Sequence, residues 1–173
     1  GSSVTACSLT SIGNSAFYGC YSLVGDLIIP NNVLSIGDSA FTGDGYGGNQ
    51  NNWQTPKIVS LVIGSSVTSI GDNAFYFCYS LVGNLVIPDS VLTIGTKAFS
   101  KCGFNGTLTI GNSITSIYSY AIEACPFTGN LVIPDSVLTI DTGPFGSCGF
   151  NGTLTIGNSV TSIGKRAFVN TGF

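Results

Sequence analysis

The chain contains no histidine and no methionine, a single tryptophan, and five basic residues against eight acidic ones in 173 positions. Without histidine, the Ser-His and Cys-His pairs that activate many nucleophiles cannot be assembled. Six cysteines are present, but five of them lack close Cys-x-x-Cys spacing and have no histidine to join them, so a structural zinc site is disfavoured. The five cations are scattered, with only Lys165 and Arg166 adjacent, and cannot neutralise a run of phosphates; nucleic acid is therefore an unfavourable partner. No apolar run approaches the ~20 residues needed to span a bilayer, and no signal-peptide core is present. Gly1 and Ser2 read as a cloning remnant.

Charge is scarce too, at 8% of residues against ~25% in ordinary domains, while hydrophobic residues reach 43%. Disordered chains show the opposite balance, so a folded chain with ample core material is expected. Glycine, serine, threonine and asparagine take over the surface.

What is abundant is repetition. The motif Ile-x-x-x-Ala-Phe, aligned on its isoleucine, recurs at Ile12, Ile36, Ile70, Ile94, Ile117, Ile140 and Ile163. The steps are 24, 34, 24, 23, 23 and 23 residues, so seven units cover almost the whole chain and one is enlarged by about ten residues. The string CGFNGTLTIGNS occurs identically at 102–113 and 148–159. Each unit reads as one coil. Leu-x-Ile (Leu85–Ile87, Leu108–Ile110, Leu131–Ile133, Leu154–Ile156) has strand spacing, and Pro or Gly then ends it before an Asn/Asp-Ser turn. A second short extended piece, Val-x-x-Ile, follows, and Ala-Phe-x-x-Cys is expected to form one helical or 3-10 turn. One coil cannot bury its own apolar side, but stacked coils align Ile, Val, Leu and Phe into ladders. At ~4.8 Å per step the stack spans roughly 30 Å. The phenylalanine spine is expected to run through Phe17, Phe41, Phe75, Phe99, Phe145 and Phe168, with soft spots at Ile122 and Pro144. Units alternate between an Ile-Pro form (Pro30, Pro88, Pro134) and an Ile-Gly form (Gly64, Gly111, Gly157), so the duplicated element is a pair of coils, about 46 residues.

The stretches LVIGSSVTSIGDNAFYFC (61–78) and LVIPDSVLTIGTKAFSKC (85–102) resemble the BspA-like class of leucine-rich repeats, and the likeness extends over nearly all of residues 3–173. The resemblance implies a single right-handed solenoid domain with a parallel sheet on one face. It further implies an exported or surface-displayed protein, extracellular or on the cell, of the kind found in gut and oral bacteria and some mucosal protists. Relatives of this kind are often adhesins for host-cell or extracellular-matrix proteins, and the class brings no catalytic residues, cofactor or metal to transfer.

Cys20, Cys78, Cys102, Cys125 and Cys148 form one column and read as buried reduced thiols, with Cys7 outside it. Asn31, Ser65, Asp89, Asn112, Asp135 and Asn158 form a turn column, whose one acid per second coil cannot gather the oxygens calcium needs. Asn105 and Asn151 satisfy the glycan-acceptor pattern, although Asn-Gly at a bend explains them without a glycan.

Two regions are candidates for partner binding. Residues 42–57, TGDGYGGNQNNWQTPK, break the period and carry Tyr46 and Trp53 as contact anchors; a tolerated insertion is the equally weighted plainer reading. The outward strand column Ile28, Val62, Val86, Thr109, Val132, Thr155 would make an aliphatic patch, unless it reflects only β propensity. The expectation is a non-enzymatic protein-binding solenoid, with a host or matrix protein as partner. A spacer that is monomeric or associates weakly end to end, and a carbohydrate-binding module using Trp53 and Tyr46, are the alternatives.

Overall fold

The computed structural model describes residues 8–43 and 55–173. They form a stack of seven coils, numbered here by their isoleucines from Ile12 to Ile163. Two lines of short parallel strands run along the stack. One consists of β1 (Ser11–Ile12), β3 (Ser35–Ile36), β5 (Ser69–Ile70), β7 (Thr93–Ile94), β9 (Ser116–Ile117), β11 (Thr139–Ile140) and β13 (Ser162–Ile163). The other consists of β2 (Val24–Ile28), β4 (Lys57–Val62), β6 (Leu85–Val86), β8 (Leu108–Thr109), β10 (Leu131–Ile133) and β12 (Leu154–Ile156). The first line pairs in two runs, β1-β3-β5-β7 and β9-β11-β13. The second pairs only as β2-β4, β6-β8 and β10-β12. Each of these couples one Ile-Pro coil to the Ile-Gly coil after it, so on this line the duplicated pair is also the unit of strand pairing.

The register repeats the sequence alignment: Ile36 faces Ile70, Ile70 faces Ile94, and Leu85 faces Leu108. Equivalent residues therefore stack, and the isoleucine, valine and leucine ladders are buried from coil to coil.

The Ala-Phe-x-x-Cys segments differ from the expected helical or 3-10 turn. No helix occurs among the described residues; each segment is a run of tight turns. The amides divide their bonds alternately. In coil 4, Lys97, Phe99 and Lys101 donate to Ser119, Ala121 and Glu123 of the next coil, at 3.2, 2.8 and 2.8 Å. Ala98 and Ser100 close local turns on Gly95 and Lys97. A helix would spend every amide within its own coil, leaving nothing to join neighbours. The cost is left-handed backbone at Lys97 and Lys101, repeated at Asn73 and Phe77, Tyr120 and Ala124, with φ between 55° and 62°. Such conformations are unfavourable for side chains by roughly 1–2 kcal/mol per residue, and inter-coil bonds hold them.

Phenylalanines stack face to face through Phe17, Phe41, Phe75 and Phe99, with centroids 4.9, 5.2 and 5.2 Å apart. Phe145 and Phe168 resume the spine at 5.5 Å. Between them Ile122 is buried, and a second ladder of Phe104, Phe127, Phe150 and Phe173 carries the stacking past it. Edge contacts Phe99–Phe104 and Phe145–Phe150 join the two ladders. The second ladder begins where Cys-Tyr-Ser-Leu (20–23, 78–81) gives way to the shorter Cys-x-Phe, which also explains why steps change from 24 to 23 residues.

Four thiols lie against this core as free cysteines. Cys78, Cys102, Cys125 and Cys148 donate to the carbonyls of Phe41, Phe75, Phe99 and Ile122 at 3.1–3.2 Å, one coil back. Cys20 is half-buried, and Cys7 lies outside the described residues. Burial, reinforced by Cys125 alongside, pushes the Cys148 thiol up to about 12, and burial with hydrogen bonding to neighbouring thiols raises Cys102 well above its ordinary value. An unfolded thiol ionises near ~8.5, so the stability linked to these protons is complete below that pH and drains away as pH climbs toward the folded value. Urea midpoints should hold level to about pH 8 and then fall, less steeply in Cys148→Ala than in the parent chain. Equal slopes in the two proteins would contradict this linkage.

Candidate functional surface

The sheet formed by β2 and β4 has longer strands than any other on its line, and the break in the repeat lies between those two strands in sequence. The described part of the insertion ends at Thr55 and Pro56 and runs into Lys57 at the start of β4. A register shift between Gly25 and Asp26 lets β2 and β4 pair beyond the Leu-x-Ile core, from Val24–Lys57 to Ile28–Val62. Ser60 Oγ donates to Asp26 Oδ1 at 2.6 Å across the widened sheet.

Side chains of the Leu-x-Ile pieces point alternately inward and outward, and the register shift inserts one extra residue between Ile58 and Leu61 in β4. Inward Ile58, Leu61, Leu85 and Leu131 are buried, whereas outward Ile28, Val62, Val86 and Val132 are 66%, 54%, 55% and 55% exposed. Four of the six residues expected to bind a partner are thus on one solvent-facing column. Ile28 and Val62 are register partners, and Val62 and Val86 line one depression of about 210 Å³ with Pro88 and Asn84. Val132 is farther along, with register partner Thr155, in a shallow trough of about 680 Å³ that also holds Thr109. Tyr46 and Trp53 lie outside the described residues.

Val24, Val59 and Val82 extend the aliphatic patch, and all three are exposed. Sequence spacing does not reveal them, because the register shift puts Val59 on the outer face two residues before the Leu-x-Ile core begins. The alternation in Lys57-Ile58-Val59 was the available signal. A further exposed column, Leu34, Leu92 and Leu138, alternates with threonines along the coils.

The polar rim is committed to the scaffold. Asn31, Asp89 and Asp135 each accept the backbone amide of the equivalent residue one coil on, from Ser65, Asn112 and Asn158, at 2.7–3.0 Å. Asn105 and Asn151 accept the amides of Gly83 and Gly129, both at 2.9 Å. The Asn-Gly pairs are therefore inter-coil locks. Gly83 and Gly129 take the left-handed turn, whereas Gly106 and Gly152 sit flat against the preceding coil. A Cβ on either would press on the Asn84 or Asn130 side chain and come within 2.8 Å of a backbone carbonyl carbon.

Comparison with known proteins places this geometry in context. Residues 2–45 and 49–173 match the BspA type leucine rich repeat region in six copies. A leucine-rich repeat protein from Bacteroides ovatus superposes with a TM-score of 0.58 at 22% identity, over 94% of this chain and 45% of that one. A leucine rich cell surface protein from Faecalibacterium prausnitzii gives 0.54 at 23% identity, over 86% of this chain and 45% of that one. The chain therefore spans less than half the length of these two proteins. No curated protein matches significantly.

Proposed function

The chain belongs to the BspA-type leucine-rich repeat family, and from that premise we propose that it is a non-enzymatic module that binds another protein on the face carrying Ile28, Val62, Val86 and Val132. The observation that carries this reading is the aliphatic column at half or more exposure, widened by Val24, Val59 and Val82 beside the one insertion in the repeat. The face offers mostly aliphatic and threonine side chains, with Asp26 and Lys57 as its charged residues in the β2-β4 sheet, so the matching partner is a protein segment with a largely apolar contact surface. In an exported, surface-displayed setting, that partner is a host or extracellular-matrix protein, with Tyr46 and Trp53 as further anchors. The cell-surface description of the F. prausnitzii relative supports the setting.

Surface plasmon resonance against matrix proteins such as fibronectin and laminin tests this directly. Val62→Ser combined with Val86→Ser should weaken binding by about tenfold or more while changing stability by less than about 1 kcal/mol, since both side chains are exposed. Trp53→Ala should weaken it independently. Binding that ignores all three changes removes the face from consideration.

A further inference from the structure

On the ridge made by the tight turns, away from the sheet, the repeat fails a second time. Two columns run along this ridge, outward in most coils but with Ser100 buried. One holds Asn73, Lys97, Tyr120, Gly143 and Arg166; the other holds Tyr76, Ser100, Glu123, Gly146 and Val169. Coil 6 alone has glycine in both. The missing side chains leave a notch one coil deep, of about 390 Å³, whose floor is the buried backbone of Gly143 and Gly146. Its walls are Tyr120 and Glu123 on coil 5 and Arg166 and Val169 on coil 7, with Ser147 and Asn170 at the rim. Two steps of the stack, roughly 10 Å, separate the backbones that carry those walls.

The walls are held in place. The Lys97 ammonium sits 5.8 Å from the centre of the Tyr120 ring, on a coil that the notch does not touch. Glu123 Oε2 accepts the Ser100 hydroxyl at 3.2 Å, which orients the carboxylate and leaves its remaining acceptor capacity available. Tyr120 leans over Gly143, where a Cβ would meet ring carbons at 2.9 and 3.1 Å.

We propose that this notch binds a neutral pyranose, a single sugar residue of a glycan, between Tyr120 and Arg166. The chemistry selects that class. A carboxylate and a guanidinium on opposing walls penalise a ligand with net charge of either sign, because one wall always repels it. A neutral polyol suits both: its hydroxyls donate to Glu123 and accept from Arg166, and Ser147 and Asn170 can do either. The Tyr120 ring supplies an apolar face for the C–H side of the sugar, and Val169 supplies the opposite apolar contact. The cavity volume falls within the range of small-ligand sites. This site is separate from the sheet face proposed to bind protein, and either assignment can fail without the other.

The test is a titration of isotope-labelled protein with methyl glycosides of glucose, galactose, mannose and N-acetylglucosamine, followed by amide chemical shifts. At least one glycoside should shift Gly143, Gly146, Ser147 and Asn170 together, with an affinity near millimolar. Tyr120→Ala should weaken that glycoside by about tenfold. Gly146→Thr, which restores a side chain found at the same position in coil 2 as Thr42, should abolish the shifts while the far-ultraviolet spectrum stays unchanged. The two variants guard against a folding artefact, since one removes a side chain and the other adds one. No saturating shift with any glycoside, shifts mapping away from the notch, or an equal response to tyrosine amide would each overturn the assignment.

Discussion

Phe99→Ala should destabilise the chain by about 3–5 kcal/mol, the range for emptying a fully buried aromatic site. Phe99 is fully buried, stacks on Phe75 at 5.2 Å, and meets Phe104 edge-on at 6.3 Å. It is the junction where the first aromatic ladder hands over to the second. Ladders of this kind hold by contacts between adjacent coils, so a void in coil 4 weakens its bonds to coils 3 and 5 at once. Denaturant unfolding followed by circular dichroism should show an early transition, and it should lose single-step character as the blocks on either side uncouple. Phe99→Ile mimics coil 5, where Ile122 fills the same position, and should cost less than half as much. A loss under about 1 kcal/mol for Phe99→Ala would falsify the view that this junction couples the stack.

The second large effect concerns backbone contact between coils. Gly71→Ala should cost about 2–3 kcal/mol, as overpacking against an unyielding neighbour does, whereas Gly13→Ala at the same repeat position should be neutral within about 0.5 kcal/mol. The contrast isolates one interaction. A Cβ on Gly37, Gly71 or Gly95 would come within 2.5–2.6 Å of the backbone nitrogen of Asn14, Asp38 or Asp72 in the coil before. Around Gly13, nothing among the described residues lies within 4 Å. These glycines accompany a ladder in which Asn14, Asp38 and Asp72 each accept the equivalent amide of the next coil, from Asp38, Asp72 and Thr96, at 2.7–2.9 Å. Beyond Thr96 the acceptors cease, and the glycine position carries Tyr118, Asp141 and then Gly164. In coils 2 to 4 side-chain acceptor and following glycine go together, and Gly164 in coil 7 makes the same close approach, to Asp141, with no acceptor before it. Thermal melts of the two alanine variants measure the difference, and similar melting temperatures would refute the close-approach account.

The repeat was legible because period and burial are local facts about residue type. Isoleucines aligned at 23 or 24 residues become register partners, and inward Leu-x-Ile positions become buried ladders. The Ile-Pro and Ile-Gly alternation predicted a two-coil unit, and the pairings β2-β4, β6-β8 and β10-β12 reproduce it. The column of thiols was legible for the same reason: a small apolar side chain recurring in register packs inward.

Three features needed the tertiary structure. Ala-Phe-x-x-Cys looks helical in isolation, but alternate amides are claimed by the next coil, and that competition exists only once coils are stacked. The glycines of Asn-Gly suggest a turn, yet their role is to let the preceding coil approach, and no spacing along the chain records that distance. The outward placement of Val59 in the exposed patch arises from a register shift between two strands distant in sequence. The sequence by itself determined what repeats, which side chains face inward and where the period breaks. Only the stacked structure decided which backbone bonds are spent between coils and what surface or notch each break leaves open, because both depend on contacts between residues a whole coil apart in sequence.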